Sequence, residues 1–574
     1  MPFIEVNSRQ VEMKPGEMLL STIRRAGVRV PTLCALPYLD PTGACRICVV
    51  EVENHRGLVP SCCVPVTEGM KVKTHSPRAV RARKTVVELL LANHPEDCMY
   101  CPRDGACQLQ KLAIQHGVRE RRYPGASQSQ RTCDVSSASL VRDPAKCILC
   151  GKCVRVCEEI QGVSAIDFGG RGSQTVVGPA FGDGLNVSSC VNCGQCVVVC
   201  PTAALTEQSH IKSVLAALND PQRTVVIQHA PAVSVTLAEA FNLPAGTDVA
   251  GSMTAALRRL GFRKVFDTSF SADVTVMEEA SELVARIKGG GPLPMFTSCS
   301  PAWIKFVEQF YGDMIPHLST CKSPQQMLGA LIKSHFAAQE GLDPRRIFTV
   351  AAMPCTAKKF EARRPEMVEG GLPDTDAVLT TRELVEIIRM HGLDLRELEP
   401  EAADTPFGLR SSAGKLFGAT GGVMEAALRT AHHLITGREL DARTLPALRG
   451  TDGIKEVKIR VGDIELGVAV VSGLQNARRL LDEIRAGRKD LHFVEVMSCP
   501  GGCIAGGGQM LGADLEAVRA RMASLYALDE TSTLRTAHGN SAVRALYDEF
   551  LGQPLGERSH NLLHTHYQPR DLPL

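Results

Sequence analysis

One cysteine spacing occurs twice between residues 147 and 200. Cys147, Cys150, Cys153 and Cys157 follow Cys-x2-Cys-x2-Cys-x3-Cys, and Cys190, Cys193, Cys196 and Cys200 repeat it. This constrains the fold more than any hydrophobic pattern, because each set of thiols must be brought onto a common centre. Runs so spaced hold 4Fe–4S cubanes, the fourth cysteine of each run ligating the other cluster. The spacing therefore predicts one cubane on Cys147, Cys150, Cys153 and Cys200, and a second on Cys190, Cys193, Cys196 and Cys157. Only the second run ends in the usual proline (Cys200-Pro201); the first ends in Cys157-Glu158.

The chain has 574 residues and 22 cysteines, too long for one core and too rich in thiol for chance. Disulfide frameworks belong to small secreted domains, so a long chain favours metal or redox use. The opening residues MPFIEVNSRQ lack the basic start and apolar run of a signal peptide. No apolar stretch reaches the ~18 residues of a membrane span. A formal charge of +2, with 44% apolar and 22% charged residues, gives no electrostatic case for nucleic acid or membrane. The expectation is a soluble, cytoplasmic protein.

Two further ligand sets precede the doubled run. Residues 1–78 alternate strand-like runs (Phe3–Val6, Val49–Val52, Met70–Val72) with turns and carry Cys34, Cys45, Cys48 and Cys62. Cys63, beside Cys62, is an alternative fourth ligand. Residues 79–125 open on an amphipathic stretch, Ala79–Ala92, followed by His94, Cys98, Cys101 and Cys107. One histidine and three cysteines suit a structural zinc as well as an iron–sulfur cluster. Arg119, Arg121 and Arg122 form a basic cluster, either a solvated face or a dock for an acidic partner.

Beyond residue 210, strand-like runs (Thr224–Ile227, Ile347–Ala352, Val468–Val471) alternate with helical patterns (Met277–Ile287, Arg382–Met390), which predicts a mixed α/β domain. No Walker A sequence and no GxGxxG between strand and helix is present. The glycines of FGATGG (Phe417–Gly422) precede a helix and suit packing better than a nucleotide. Three distant segments, FTSCSPAW (Phe296–Trp303), MPCTAKKFEA (Met353–Ala362) and EVMSCPGGCIAGGGQ (Glu495–Gln509), each set cysteine beside glycine, proline or a small residue. They must converge in space if their thiols share a metal.

These three segments resemble the signature segments of the iron-only (FeFe) hydrogenases, and the order of the upstream cysteine sets resembles the large monomeric clostridial type. The resemblance implies a multidomain α+β chain. Its units are a 2Fe–2S ferredoxin-like β-grasp domain (1–78), a 4Fe–4S domain ligated by one histidine and three cysteines (79–125), a bacterial-ferredoxin-like unit with two 4Fe–4S clusters (137–209) and an α/β hydrogenase catalytic domain (210–574). Cofactors implied are one 2Fe–2S cluster on Cys34, Cys45, Cys48 and Cys62, three accessory 4Fe–4S clusters and an H-cluster. The H-cluster is a cubane bridged to a di-iron unit with CO, cyanide and azadithiolate ligands. By motif position Cys355, Cys499 and Cys503 ligate the cubane, and Cys503 bridges.

The first segment departs from the family's TSCCP. It keeps the proton-relay cysteine, Cys299, but puts Ser300 at the ligand position, so either Ser300 ligates or the loop slips and Cys299 takes over. Glu279, Ser319 and Glu282 continue the implied proton path. Glu279, Glu282 and Arg286 fall on one helix face, which without the resemblance reads as an ion-paired surface. Lys358 is implied as hydrogen-bond donor to a cyanide, and Met353, Met497, Pro231, Ser323, Pro324, Gln325 and Phe417 as pocket residues. Ala232 replaces a common serine there. The implied reaction is reversible hydrogen oxidation with ferredoxin or a similar small carrier as partner, and maturation enzymes would supply the di-iron unit. A hydrogen sensor with a relaxed site, or a subunit that only wires electrons, are the rival readings. Cys63, Cys133 and Cys321 have no assigned role, and His560, His564 and His566 read as a polar tail.

Overall fold

The structure, a computed structural model, describes residues 2–125, 132–440, 445–512 and 514–571. Strands Phe3–Val6 and Val49–Val52 fall where the alternation places them, and the third expected run shifts to Lys71–Lys73. They form a five-stranded sheet in the order Arg9–Glu12, Phe3–Val6, Lys71–Lys73, Val49–Val52, Val59–Pro60. The two strands at its centre, Phe3–Val6 and Lys71–Lys73, run parallel. Helix Leu19–Arg25 buries Leu19, Leu20 and Ile23 against Ile4, Val50 and Val72. Helix Pro77–Ala92 starts at the Ser76 cap, whose hydroxyl accepts from the Ala79 amide. It packs with Gln108–Gln115 over Leu33 and Ile47.

The doubled cysteine runs adopt the same local backbone. Leu149 and Asn192 take positive φ (53° and 63°), as do Gly151 and Gly194 (73° and 71°), each glycine starting the short helix Lys152–Arg155 or Gln195–Val199. These turns point amides inward: Leu149 N donates to Cys147 Sγ and Asn192 N to Cys190 Sγ, both at 3.4 Å. Strands Leu140–Arg142 and Leu205–Glu207 pair antiparallel beneath them.

Two four-stranded sheets organise the remainder. One is all parallel, in the order Lys264–Asp267, Thr224–His229, Ile347–Met353, Ala377–Thr380. The other runs Met295–Phe296, Phe493–Met497, Ile464–Ser472, Ile454–Val461, with only the last pair antiparallel. Most of their strands are apolar and buried, as both faces are covered, whereas the edge strand Ile454–Val461 exposes Glu456, Lys458 and Arg460. Each signature segment leaves the C-terminal end of a parallel strand: Phe296 leads to Cys299, Met353 to Cys355 and Met497 to Cys499. Ala230–Ala232 leave a fourth strand end in the same way. Ligands gather at such carboxyl ends in open α/β sheets.

The long helix Thr268–Gly289 lies inside the domain and buries Glu278, Glu279 and Glu282. The surface reading of its charged face is thereby overturned, because neighbouring helices Pro324–Leu331 and Gly422–Thr436 pack over it. The glycines of FGATGG do face an anion, but an internal one: Glu495 accepts from Gly421 N at 2.6 Å and Met424 N at 2.7 Å. Gly502 turns the third segment at φ +95°, and a Cβ there would lie 2.5 Å from Thr420 N. Gly502→Ala should therefore lower stability by about 1–3 kcal/mol, measured as a drop in thermal midpoint, whereas Gly512→Ala, with open space around it, costs less.

Candidate functional site

The accessory ligand sets assemble first. Cys34, Cys45, Cys48 and Cys62 bring their sulfurs within hydrogen-bonding reach of one another, with Cys48 and Cys62 at 3.3 Å. Cys63 Sγ touches Cys62 Sγ at 3.3 Å but sits outward, where a Cβ on Gly43 would meet it. Burial, and then the neighbouring Cys101, raises the thiols of Cys98 and Cys107, so the three cysteines lie close together. His94 Nδ1 is buried without a hydrogen-bond partner among the described residues, as a ring awaiting a metal would be. Its backbone carbonyl accepts from Arg121 Nη2 at 2.9 Å. Arg121 also pairs with Glu96 and Arg122 with Glu88, so two arginines of the basic cluster are spent on their own domain.

The doubled runs cross over as the spacing predicts. One cavity is lined by Cys147, Cys150, Cys153 and Cys200, a second by Cys157, Cys190, Cys193 and Cys196. Lys152, 4% exposed, faces Cys150 and Cys200 on one side and Cys34 and Cys45 on the other. Lys146, next to Cys147 in the chain, reaches towards Asp97 and Cys101. The first cavity is thus a junction between the two N-terminal sets. The second is clamped to the catalytic domain by buried hydrogen bonds: Lys305 Nζ to Cys190 O (2.7 Å), Thr356 Oγ1 to Asn192 O (2.7 Å), Gln195 Nε2 to Ala505 O (3.0 Å) and Gln161 Nε2 to Ser498 O (3.0 Å). Gly507 allows the approach, since a Cβ there would stand 2.2 Å from Cys193 O.

Between the two large sheets the four strand ends enclose one cavity. Its wall holds Cys299, Ser300, Cys355, Lys358, Cys499 and Cys503, together with Pro231, Ala232, Pro324, Gln325, Met353, Phe417 and Met497. Cys193 of the second cubane set reaches the same wall. Burial, then one another's charge, pushes the thiols up, Cys499 well above its ordinary range and Cys503 to about 12. Buried thiols of that kind ionise only with a metal at hand. Three clustered thiols in an otherwise apolar chamber therefore fit an iron–sulfur group. Ser300 Oγ lies 2.8 Å from Ser498 Oγ, a second serine in the third segment. Cys299 has Glu279, Cys503 and Lys358 as its charged neighbours.

Lys358 is placed by residues the motifs did not reveal. Its Nζ bonds Glu361 Oε2 at 2.9 Å and Cys299 O at 3.2 Å. Ser323 donates to the same Glu361 oxygen at 2.9 Å and Gln325 at 3.3 Å. Ser323 is thus a support for Glu361 and is not on the cavity wall. Glu361 was recognisable only as the residue three after Lys358 on helix Ala357–Glu361. Gln509 Nε2 bonds Ala232 O at 3.1 Å and Cys503 O at 3.2 Å, tying the last segment to the loop that lacks its serine.

The acid residues line up behind Cys299. Glu279 Oε1 accepts from Ser298 N at 3.3 Å, and its carboxyl is pushed up to about 8, chiefly by burial. Ser319 lies against it and donates to Glu282 Oε2 at 2.8 Å. Arg286 closes the row on Glu282 Oε1 at 2.6 Å. No helix among the described residues is long and apolar enough to cross a membrane.

Comparisons with known proteins agree with this architecture. The family described as iron-only hydrogenase large subunit, C-terminal domain, matches residues 223–507, and iron hydrogenase small subunit matches 515–570. Upstream, a 2Fe–2S iron–sulfur cluster binding domain matches 3–77, the NADH-ubiquinone oxidoreductase-G iron–sulfur binding region 83–122 and a 4Fe–4S dicluster domain 146–208. The NADP-reducing hydrogenase subunit HndD of Solidesulfovibrio fructosivorans is 46% identical over 99% of each chain. Iron hydrogenase 1 of Clostridium pasteurianum is 40% identical over 99% of this chain and 100% of its own. A solved structure of the apo hydrogenase HydA1 of Chlamydomonas reinhardtii superposes with a TM-score of 0.57 at 44% identity, covering 63% of this chain and 99% of that one. With relatives matched from end to end and the signature thiols gathered at one cavity, the chain belongs to the iron-only (FeFe) hydrogenases.

Proposed function

We propose that this hydrogenase interconverts hydrogen with protons and electrons in the chamber between its two large sheets. One observation carries the reading: Cys355, Cys499, Cys503 and Ser300 share a wall with Cys299 and Lys358. A cubane would be held by the three thiolates and Ser300, with Cys503 shared with the di-iron unit. When bound, that unit supplies the open iron site at which hydrogen is cleaved or formed. Lys358, fixed by Glu361, presents an ammonium to an anionic cyanide, and Met353, Met497, Pro231, Pro324 and Phe417 exclude water. Gln325, on the same wall, presents an amide alongside them. Ala232 offers no hydroxyl, so the second cyanide loses one donor.

Cys299 takes up or returns the proton, and Glu279, Ser319 and Glu282 carry it outward. A carboxyl held near neutral pH by burial is suited to both giving and receiving protons. Keeping this row intact argues against a sensor. Cys157, Cys190, Cys193 and Cys196 would hold the cubane nearest the chamber, which Cys193 reaches, and Cys147, Cys150, Cys153 and Cys200 the junction cubane. Cys34, Cys45, Cys48 and Cys62 would hold a 2Fe–2S centre at one end and His94, Cys98, Cys101 and Cys107 a cluster at the other, and these groups when bound would supply the electron relay. The β-grasp reading of the first of these ends is supported by its sheet order and single packed helix. The acceptor is ferredoxin or a similar carrier. The relative HndD is named as a subunit, which favours a second reading in which a partner subunit takes the electrons.

Hydrogen evolution from reduced viologen, after cluster reconstitution and loading of a synthetic di-iron complex, tests the proposal. Turnover far above the unloaded chain is expected; CO and cyanide infrared bands without turnover would overturn it. Replacing the harder oxygen ligand, Ser300→Cys should move the cubane midpoint to more positive potential in an EPR-monitored titration, leaving the accessory signals unmoved. Glu279 gives a stability test. The folded chain keeps a proton up to about 8 that the unfolded chain releases around 4.5. Its contribution is full below about 4.5 and is lost as pH rises through about 8. The thermal midpoint of Glu279→Gln should therefore gain on the native protein steadily across that window and level off above it.

A further inference from the structure

Segments from all three N-terminal iron–sulfur regions, with the start of helix Leu515–Thr531, enclose a cleft of about 990 Å³ that the hydrogen chemistry does not use. Arg24 and Arg29 line it from the first region, Arg83 and Lys111 from helices Pro77–Ala92 and Gln108–Gln115, and Lys152 from the junction. Two carboxylates, Asp514 and Glu516, stand against these five cations, and Asp514 is occupied in capping its own helix through Glu516 N at 2.9 Å. Among the described residues none of the five cations has a carboxylate partner, whereas Arg25, next to Arg24, pairs with Glu17.

The positive charge runs from mouth to floor. Arg24, Arg29 and Lys111 are exposed, while Arg83 is 1% and Lys152 4% exposed. Arg83 is held in place by donating to Val49 O and Thr74 O, each at 2.7 Å. His75 and His116 line the same cleft, and burial, then the Arg83 guanidinium, holds both rings below the ordinary histidine range with no acid to offset it. Like charges gathered this way repel one another, and a bound anion relieves the repulsion.

The remaining wall is apolar, with Val30, Leu36, Val80, Leu112, Val199 and Leu515 on it. A plain oxyanion has no use for such a surface. A heterocyclic ring joined to phosphates uses both kinds of wall, and guanidinium groups match phosphate oxygens in pairs. The volume falls at the upper end of the roughly 300–1,000 Å³ usual for small-molecule sites.

We propose that this cleft binds a nucleoside diphosphate, its phosphates against the arginines and Lys111 and its base against the apolar wall, and that the bound anion makes the two clusters beside Lys152 harder to reduce. Lys152 faces Cys150 and Cys200 on one side and Cys34 and Cys45 on the other, so an anion at its ammonium weakens the charge that offsets both clusters. The coupling is reciprocal: an electron added to either cluster repels the ligand. Binding itself is independent of the cluster assignments proposed above; the coupling rests on them.

Calorimetric titration of ADP into the reconstituted, oxidised chain should reveal one site with a Kd of about 1 mM or tighter. Arg29→Gln combined with Lys111→Gln, at two exposed positions, should weaken binding at least about tenfold. Pyrophosphate should compete with ADP but bind less tightly. The photochemically reduced chain should bind ADP about fivefold more weakly than the oxidised one. In EPR-monitored titrations ADP should move the 2Fe–2S and junction midpoints together to more negative potential. No ADP binding in this range, or binding that the double variant leaves untouched, overturns the site. Pyrophosphate bound as tightly as ADP overturns the nucleoside assignment. Equal affinity in both redox states, with the cluster signals present, overturns the coupling alone. Absence of those signals overturns the cluster assignments and the coupling with them.

Discussion

A thiol kept from water resists ionisation, and iron binds thiolate. That conflict governs the whole catalytic half of this molecule. Cys355, Cys499 and Cys503 sit at the ends of strands Ile347–Met353 and Phe493–Met497, where burial raises all three. Apolar strands and a buried helix hold them there, so the cost of desolvation is offset by the hydrophobic core. Metal binding then recovers it, which couples cluster occupancy to stability.

The same conflict explains the placement of the buried cations. Lys358, Lys152 and Lys305 are each less than a tenth exposed, and each faces a sulfur set or a loop that carries one. Bound clusters bring net negative charge into low dielectric, and these ammonium groups offset it at close range. Lys358 is the only one of the three with a carboxylate partner, Glu361, which fixes its direction. Lys152 has none among the bonds described, and stands between two cluster sites.

Much of this was legible in the chain because ligand spacing is local. The crossing of Cys157 and Cys200 between two cavities follows from the repeated intervals of two and three residues, whereas Cys62 rather than Cys63 as fourth thiol came from the family resemblance. Long-range pairings left no such trace. Ser323 against Glu361, Glu495 at the start of helix Gly422–Thr436 and Gln509 against Ala232 are joined only by the fold. Periodicity also misled where burial was at stake. A helix face carrying Glu279, Glu282 and Arg286 has the pattern of a surface, yet it is interior, and His564 in an apparent tail is buried. Charge pattern shows which side chains share a face; it does not show what covers that face.

Ser300 is where the account is most exposed. Its hydroxyl and that of Ser498 pair at 2.8 Å on the cavity wall, and a donated hydrogen bond from Ser498 would favour the alkoxide that iron requires. Mössbauer spectroscopy of the chain reconstituted with iron-57, before any di-iron complex is added, addresses this directly. With Ser300 on the iron, one cubane contains a single iron site with the larger isomer shift of oxygen ligation, and this component disappears in Ser300→Cys. Four sulfur-ligated sites in every cubane of the native chain other than the one with the His94 ligand, with Cys299 no longer reactive to thiol reagents, would contradict it and place Cys299 on the iron.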